Sequence, residues 1–406
     1  MPCIDSPVPP CSPSGCHLNQ MLNSLESGTP SAGPACIALF DPYAQTGGPG
    51  QYRSEVYRCI REAFLPLEMV AWAATSRRGA MCSYATQFFY AIRRVAAVRR
   101  WHLMILQGFF NPGSAVLACA CRLWRVPYIL WPHGDFVPIT PGDRTAVRSS
   151  RLKRYAWWLY GRTVVRNATA LIAGSQLEVS RLRAAGARVR NVHIIPAGSA
   201  RQLYCEDSDN RLPDHGVYAL WLGRFSREKG LDLLFDCWPS VLRSCPRARL
   251  LLVGNTSDKH VYSSLLARLA HLGLEGSVRL LDYVLDSEKC HLLRNARCLV
   301  LPSHTESLGM VVPEAIMART PVIVSTGTPW DNLPQSVGVQ LPRALDLWTA
   351  ALIRYLSSPL KQSIPETDAD EALKPYEVNA IRQAWRNLAS TLSPSGPRPE
   401  TASRPV

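Results

Sequence analysis

The stretch CLVLPSHTESLGMVVPEAIMARTPVIVSTG, residues 298–327, decides the fold. CLVLPS and PVIVSTG are apolar runs of strand length, and GMVVPEAIMA between them opens a helix. Two strands joined by a helical crossover lie parallel, and a parallel sheet is covered by helices on both faces. Gly309 and Pro313 argue against one continuous helix through Glu306 and Glu314. Pro313 is tolerated within the first helical turn, where its missing N–H costs little. Glu306 then belongs to the loop HTES at a strand end, and Glu314 sits about one turn into the helix. Ligands of open α/β sheets collect beyond the carboxyl ends of strands, and the first helical amides offer an anion site. Most glutamates are solvated surface acids, so this pair becomes informative only with its surroundings.

The same alternation runs through the chain. ACIALFD (35–41), HLMILQG (102–108), PYILWPHG (127–134), ALIAGS (170–175) and VHIIPAG (192–198) read as strands separated by helical stretches. After the polar break CEDSDNRLPDHG (205–216), strands resume with YALWLGR (218–224), ARLLLVGN (248–255), SVRLLDYV (277–284), ARCLVLPS (296–303) and PVIVSTG (321–327). Such alternation gives doubly wound α/β domains, and 406 residues exceed one ordinary core. The expected organisation is a Rossmann-like domain over 34–204, a linker over 205–216 and a second Rossmann-like domain over 217–375, facing a central cleft. Residues 1–33 and 393–406 are biased in composition and expected to be disordered. The first segment lacks the basic start and apolar stretch of a signal peptide, and Met21 is an alternative start.

A net charge of +14 and a pI near 9.4 point to anionic partners: phosphate-bearing substrates, nucleic acid or an anionic membrane. The 13 cysteines form no CxxC pair and no zinc spacing, which reads as reduced thiols in a cytoplasmic protein. No apolar run approaches the ~18 residues of a membrane span.

Other strand ends carry residues suited to chemistry. WLGRFSREKGLDLL sets Arg224 and Lys229 between a strand and a helix, where two cations suit a diphosphate. GxxxxGK[ST] is absent, so this is no P-loop, and a basic helix-capping turn is an equal alternative. TGGPGQY places Gly47 and Gly48 in a turn after the first strand, without the spacing or acidic ribose ligand of a dinucleotide site. WPHGDF puts His133 beside Gly134 at another strand end. A metal-carrying Asp-x-Asp belongs at a strand end. DSD (207–209) and DAD (368–370) fall in polar stretches read as solvated loops, so no metal site is expected.

GGPGQY, PHGDF, GRFSREKGLDLL, LLVGN and HTESLGMVVPEA together resemble, in order and spacing, the retaining GT-B glycosyltransferases of family 4, over about residues 34–392. RLKRYAWWLYGR (151–162) and GTPWDNL (327–333) look like the branch that builds bacterial exopolysaccharide or lipopolysaccharide. The resemblance implies transfer of a sugar, with retention, from a nucleoside diphosphate sugar to a polysaccharide or lipid-linked oligosaccharide; with basic groups in place of a strand-end Asp-x-Asp, no metal or cofactor is expected. By position it gives Glu306 and His133 to the transferred sugar and Glu314 to the nucleotide ribose. It gives Arg224, Lys229, Gly309 and Met310 to the donor diphosphate, and Gly47 and Gly48 to the loop between phosphate and acceptor. A C-terminal helix over 376–392 is expected to return to the N-terminal domain. Three places depart from the family pattern: PAGSA (196–200) replaces its PNG turn, Arg319 stands where glycine commonly precedes TPV, and Asp282 stands where glycine is frequent.

The basic segments AIRRVAAVRRW (91–101) and RTAVRSSRLKRYAWWLYGR fall in the acceptor half. Either Trp157 and Trp158 meet an anionic membrane, or they pack inward beneath a solvated basic face. The expected location is cytoplasmic, peripheral on the inner face of the cytoplasmic membrane. A GT-B-fold phosphorylase or sugar-nucleotide epimerase is the nearest enzyme alternative. A basic nucleic-acid-binding protein is the alternative of another class, although no nucleic-acid motif accompanies the charge.

Overall fold

The computed structural model describes residues 36–41, 49–64, 68–73, 84–99, 101–110, 112–133, 154–184, 186–187, 191–198, 215–254, 259–282, 284 and 286–392. Gly47, Gly48, the DSD triplet, the two expected disordered ends and nearly all of the expected linker lie outside these residues. The first half builds β1 (Cys36–Asp41), α1 (Pro49–Ala63), β2 (Glu68–Ala73), α2 (Tyr84–Val98), β3 (Leu103–Gln107), α3 (Pro112–Leu123) and β4 (Tyr128–Trp131). It continues through a π-turn (Trp157–Gly161) into α4 (Arg162–Asn167), then β5 (Ala170–Ala173), α5 (Gln176–Ala184) and β6 (Val192–Ile194). The second half builds β7 (Tyr218–Leu222), α6 (Leu231–Ser244), β8 (Arg249–Val253), α7 (Lys259–His271), β9 (Val278–Leu281), α8 (Asp286–Asn295) and β10 (Cys298–Leu301). It ends with α9 (Val311–Met317), β11 (Val322–Ser325), β12 (Gly338–Leu341), α10 (Leu345–Leu356), α11 (Glu366–Leu373) and α12 (Val378–Leu392).

Each half forms a six-stranded sheet with all pairings parallel, ordered β2-β1-β3-β4-β5-β6 and β12-β11-β10-β7-β8-β9. Strands β3, β4, β5, β7, β10 and β11 are buried along their whole length, which is why they read as unbroken apolar runs rather than alternating ones. The two strands the sequence reading passed over, β2 and β12, are edge strands of their sheets.

Helix α12 crosses back to the first half. Val378, Ile381, Trp385 and Leu388 recur at helical spacing and bury one stripe among Leu39, Ile60, Ile105, Ile129 and Trp131. The Trp385 ring meets Trp131 edge-on at 5.4 Å and Phe64 at 6.5 Å, and Arg382 Nε donates to Glu62 Oε2 at 2.8 Å.

Several local expectations change. DAD lies within α11, not in a loop; acids in a helical first turn face the positive end of the dipole, and Asp368 also accepts a bond from Ser336. Neighbouring helical residues point in different directions, so the tryptophan pair divides. Trp157 is 4% exposed and packs on Phe109, whereas Trp158 is 69% exposed. Cysteines 59, 119, 121, 237, 245 and 298 are free thiols, but Cys290 is disulfide-bonded; a cysteine count does not say which sulfurs meet in space. Arg319 holds a left-handed φ of 58°, which explains why glycine suits the position. Its guanidinium offsets part of the backbone cost of about 1–2 kcal/mol by donating to the Pro365 and Glu366 carbonyls, each at 3.2 Å. No described helix is long and apolar enough to cross a membrane.

Trp385 is fully buried and ties the last described helix to the first sheet. Trp385→Ala is expected to cost about 3–5 kcal/mol, read as a lowered midpoint in urea unfolding.

Candidate functional site

The second sheet reverses its strand order between β7 and β10, and a crevice opens at such a switch point beyond the carboxyl ends of the strands. The loop after β7 carries Arg224 and a short 3₁₀ turn, Arg227–Lys229; the loop after β10 carries Ser303 and Glu306. Lys229 Nζ donates to Glu306 Oε1 at 2.6 Å, and Ser303 Oγ donates to the same oxygen at 2.8 Å. The Lys229 and Glu306 side chains are 16% and 10% exposed, so this is a largely desolvated, charge-assisted contact. Glu306 Oε2 has no hydrogen-bond partner among the described residues. One carboxylate oxygen is thus anchored and the other is left to accept. Arg224 is exposed at the same strand end.

Glu314 stands one element further on, the fourth residue of α9. Pro313 is the third, within the first turn, where no helical bond is lost. Lys289, from α8, donates to Glu314 Oε1 at 3.1 Å, with side-chain exposures of 14% and 6%. The two glutamates are therefore held by two different lysines from two different elements. Between them the chain turns sharply: Gly309 has a φ of 71°, and a Cβ there would meet Leu301 Cδ2 at 3.0 Å. Met310 is the residue before α9, and its carbonyl accepts the Glu314 N–H at 3.3 Å. Trp330 Nε1 pins the turn by donating to Leu308 O at 2.7 Å.

In the first half, His133 follows β4 and adopts a left-handed φ of 52°, a conformation that a non-glycine residue keeps only when its neighbours enforce it. Its ring stacks on Trp131 at 4.3 Å, and Nε2 lies 2.8 Å from Gln107 Oε1. Gln107 is buried at the end of β3 and its amide nitrogen reaches the Tyr57 hydroxyl at 3.4 Å, which turns its oxygen towards the histidine. Trp131 is itself backed by Trp385, so α12 supports the platform under His133. Sequence reasoning missed Lys289, Ser303 and Gln107. Lys289 sits in an ordinary polar helix, DSEKCHLLRN, with no motif to mark it; Gln107 carried a weak signal as a polar residue closing an apolar strand.

Removing one partner of a buried pair leaves the other charge uncompensated. Lys289→Met is expected to destabilise by about 3–5 kcal/mol. Adding Glu314→Gln should restore much of that loss, measured as a double-mutant cycle in urea.

Comparison with known proteins matches the chain to two domain families in tandem. Residues 43–198 match the glycosyl transferase 4-like domain, and residues 206–330 match the glycosyl transferases group 1 domain. A mannosylfructose-phosphate synthase from Agrobacterium fabrum is 32% identical over 152 residues, 34% of each chain. A phosphatidyl-myo-inositol mannosyltransferase from Mycobacterium leprae is 26% identical over 196 residues, 47% of this chain and 51% of that one. The chain thus spans about a third to a half of the length of such curated relatives. Among solved structures, sucrose-phosphate synthase from Thermosynechococcus elongatus superposes with a TM-score of 0.69 at 18% identity, covering 88% of this chain and 99% of that one. HepE from Anabaena, solved with UDP and glucose, gives 0.65 at 19% identity, covering 89% and 100%. Its two parallel doubly wound sheets give the chain the GT-B fold, with a match to the glycosyl transferase 4-like domain in the first half and to the glycosyl transferases group 1 domain in the second.

Proposed function

We propose that the protein transfers a sugar, with retention, from a nucleoside diphosphate sugar to a polysaccharide or lipid-linked oligosaccharide in cell-surface polysaccharide biosynthesis. The observation that carries this reading is the pair of carboxylates at the switch point, Glu306 on Lys229 and Glu314 on Lys289. Leaving diphosphate gains negative charge as the glycosidic bond to phosphate breaks, so cations beside it act on rate as well as affinity. Arg224 and Lys229, both in the loop after β7, supply those cations. Lys229 bridges a bound diphosphate and Glu306, while the remaining oxygen of Glu306 accepts from a sugar hydroxyl. Glu314 accepts from the ribose hydroxyls. Gly309 and Met310 bring backbone close to the phosphates, and Gly47 and Gly48 act between phosphate and acceptor. His133 faces the transferred sugar from the first half. Glu306 positions the sugar, and the departing diphosphate draws the acceptor proton, so no metal or cofactor takes part.

The acceptor half supports a peripheral cytoplasmic site on an anionic membrane. Tyr155, Trp158 and Leu159 are exposed next to Arg154, Arg162 and Arg166, and Phe88, Phe89 and Ile92 are exposed on α2. Aromatic residues beside arginines suit the headgroup layer. Trp157 has no part in it, being turned into the core.

Two experiments test the reading. A transfer assay with candidate donors should show activity that survives EDTA. Glu306→Gln should cut turnover strongly and leave nucleoside diphosphate affinity nearly intact, whereas Glu314→Gln should weaken nucleotide binding by about 1.5–3 kcal/mol. Abolished nucleotide binding in Glu306→Gln with intact binding in Glu314→Gln contradicts these roles. For the membrane, sedimentation with phosphatidylglycerol vesicles should fall with salt and with Trp158→Ala, and Trp158→Ala should fold normally. Equal binding to neutral and anionic vesicles sinks the electrostatic part.

A further inference from the structure

Hydrogen bonds cross from the first half to the loop after β10, which carries Glu306, and to the neighbouring loop after β11. Arg181, on α5, donates from Nη1 to Glu306 O at 2.9 Å and from Nη2 to Gly327 O at 3.0 Å. Ser175 Oγ, just before α5, donates to the carbonyl of the next residue, Ser307, at 3.3 Å. The Glu306 N–H itself donates to Gly327 O at 2.9 Å, so the guanidinium fork closes on two carbonyls that already join the loops after β10 and β11. A planar fork meets two fixed acceptors at only one relative position of the halves. Both ends of this contact are stiff. On one side, buried Glu178 accepts the Gly174 N–H at 2.7 Å and donates its own N–H to Ser175 Oγ at 3.3 Å. On the other, Gly327 lies against the loop after β10 so closely that a Cβ would fall 2.2 Å from His304 O.

We propose that Arg181 is a positioning residue, a latch that makes closure of the cleft and placement of Glu306 one event. When the halves part, the Glu306 and Gly327 carbonyls lose their charged donor together and the loop after β10 loosens. When they close, the fork sets the Glu306 backbone while Lys229 and Ser303 set its carboxylate. Nucleotide held by the second half alone does not depend on the latch; sugar transfer, which needs Glu306 placed, does. The inference rests on Glu306 being the sugar-facing carboxylate.

Arg181→Ala, Arg181→Lys and Ser175→Ala in the full chain test it. The readouts are amide exchange over 303–310 and 325–330 by mass spectrometry, affinity for a nucleoside diphosphate by calorimetry, and kcat for transfer. Arg181→Ala is expected to speed exchange in both segments about tenfold and lower kcat about thirtyfold or more, with nucleotide affinity little changed. Arg181→Lys should recover part of both losses, and Ser175→Ala should show a smaller effect of the same sign. Unchanged exchange in Arg181→Ala, or a loss confined to nucleotide affinity, overturns the latch. Should the alanine variant not fold, Arg181→Gln carries the same readings. If the wild-type protein transfers no sugar from any donor, the functional reading falls, and exchange alone decides whether Arg181 clamps the loops.

Discussion

A lysine and a glutamate 2.6 Å apart at the reversal point of a parallel sheet organise the rest of this molecule. Bringing Lys229 and Glu306 together requires β7 and β10 to be neighbours although a long stretch of chain separates them. The strand order supplies that, because the sheet grows outward in one direction from β7 and in the other from β10. The contact also requires the loops beyond both strands to be tightly held. Gly327 permits the loop after β11 to press on the loop after β10, and Ser325 Oγ donates to the Ser303 carbonyl across the same junction. A largely desolvated charge pair is stable only when its geometry is kept. The packing of the strand ends keeps it.

The first half contributes its own held residue. His133 takes a left-handed backbone, and the strain is sustained by stacking on Trp131 and by the Gln107 contact. Trp131 in turn rests against Trp385, which arrives from the far end of the chain. Thus α12 is more than a cover for the first sheet, since it braces the histidine platform from behind. Among the described residues, the two halves are linked by α12 at the back and by the Arg181 and Ser175 hydrogen bonds at the site.

The parallel architecture was legible because fully buried strands announce themselves as short apolar runs at regular intervals. β12 escaped notice because GVQL is only partly buried and carries too little apolar character to stand out. Glu306, Glu314, Arg224 and Lys229 could be named from their place beside strand ends, yet neither the pairing of Lys229 with Glu306 nor the lysine that holds Glu314 could be read. Lys289 reaches Glu314 through the packing of α8 against α9, a tertiary relation that leaves no spacing signal in the chain. Arg319 looked like a departure in need of an excuse, and the backbone supplies it: the position asks for a left-handed residue, and the arginine is held there by two carbonyls. The tryptophan pair was legible in principle, since adjacent helical residues cannot share a face.

The central claim is that the switch-point crevice binds a nucleoside diphosphate. A thermal-unfolding panel of the wild-type chain with UDP, GDP, ADP and a short DNA duplex tests it most directly. Ligand that binds only the folded state stabilises it by about 2.7 kcal/mol at about a hundred times its Kd. The account predicts that at least one nucleoside diphosphate raises the unfolding temperature by several degrees while DNA does not. A rise with DNA, and none with any nucleotide, would contradict it.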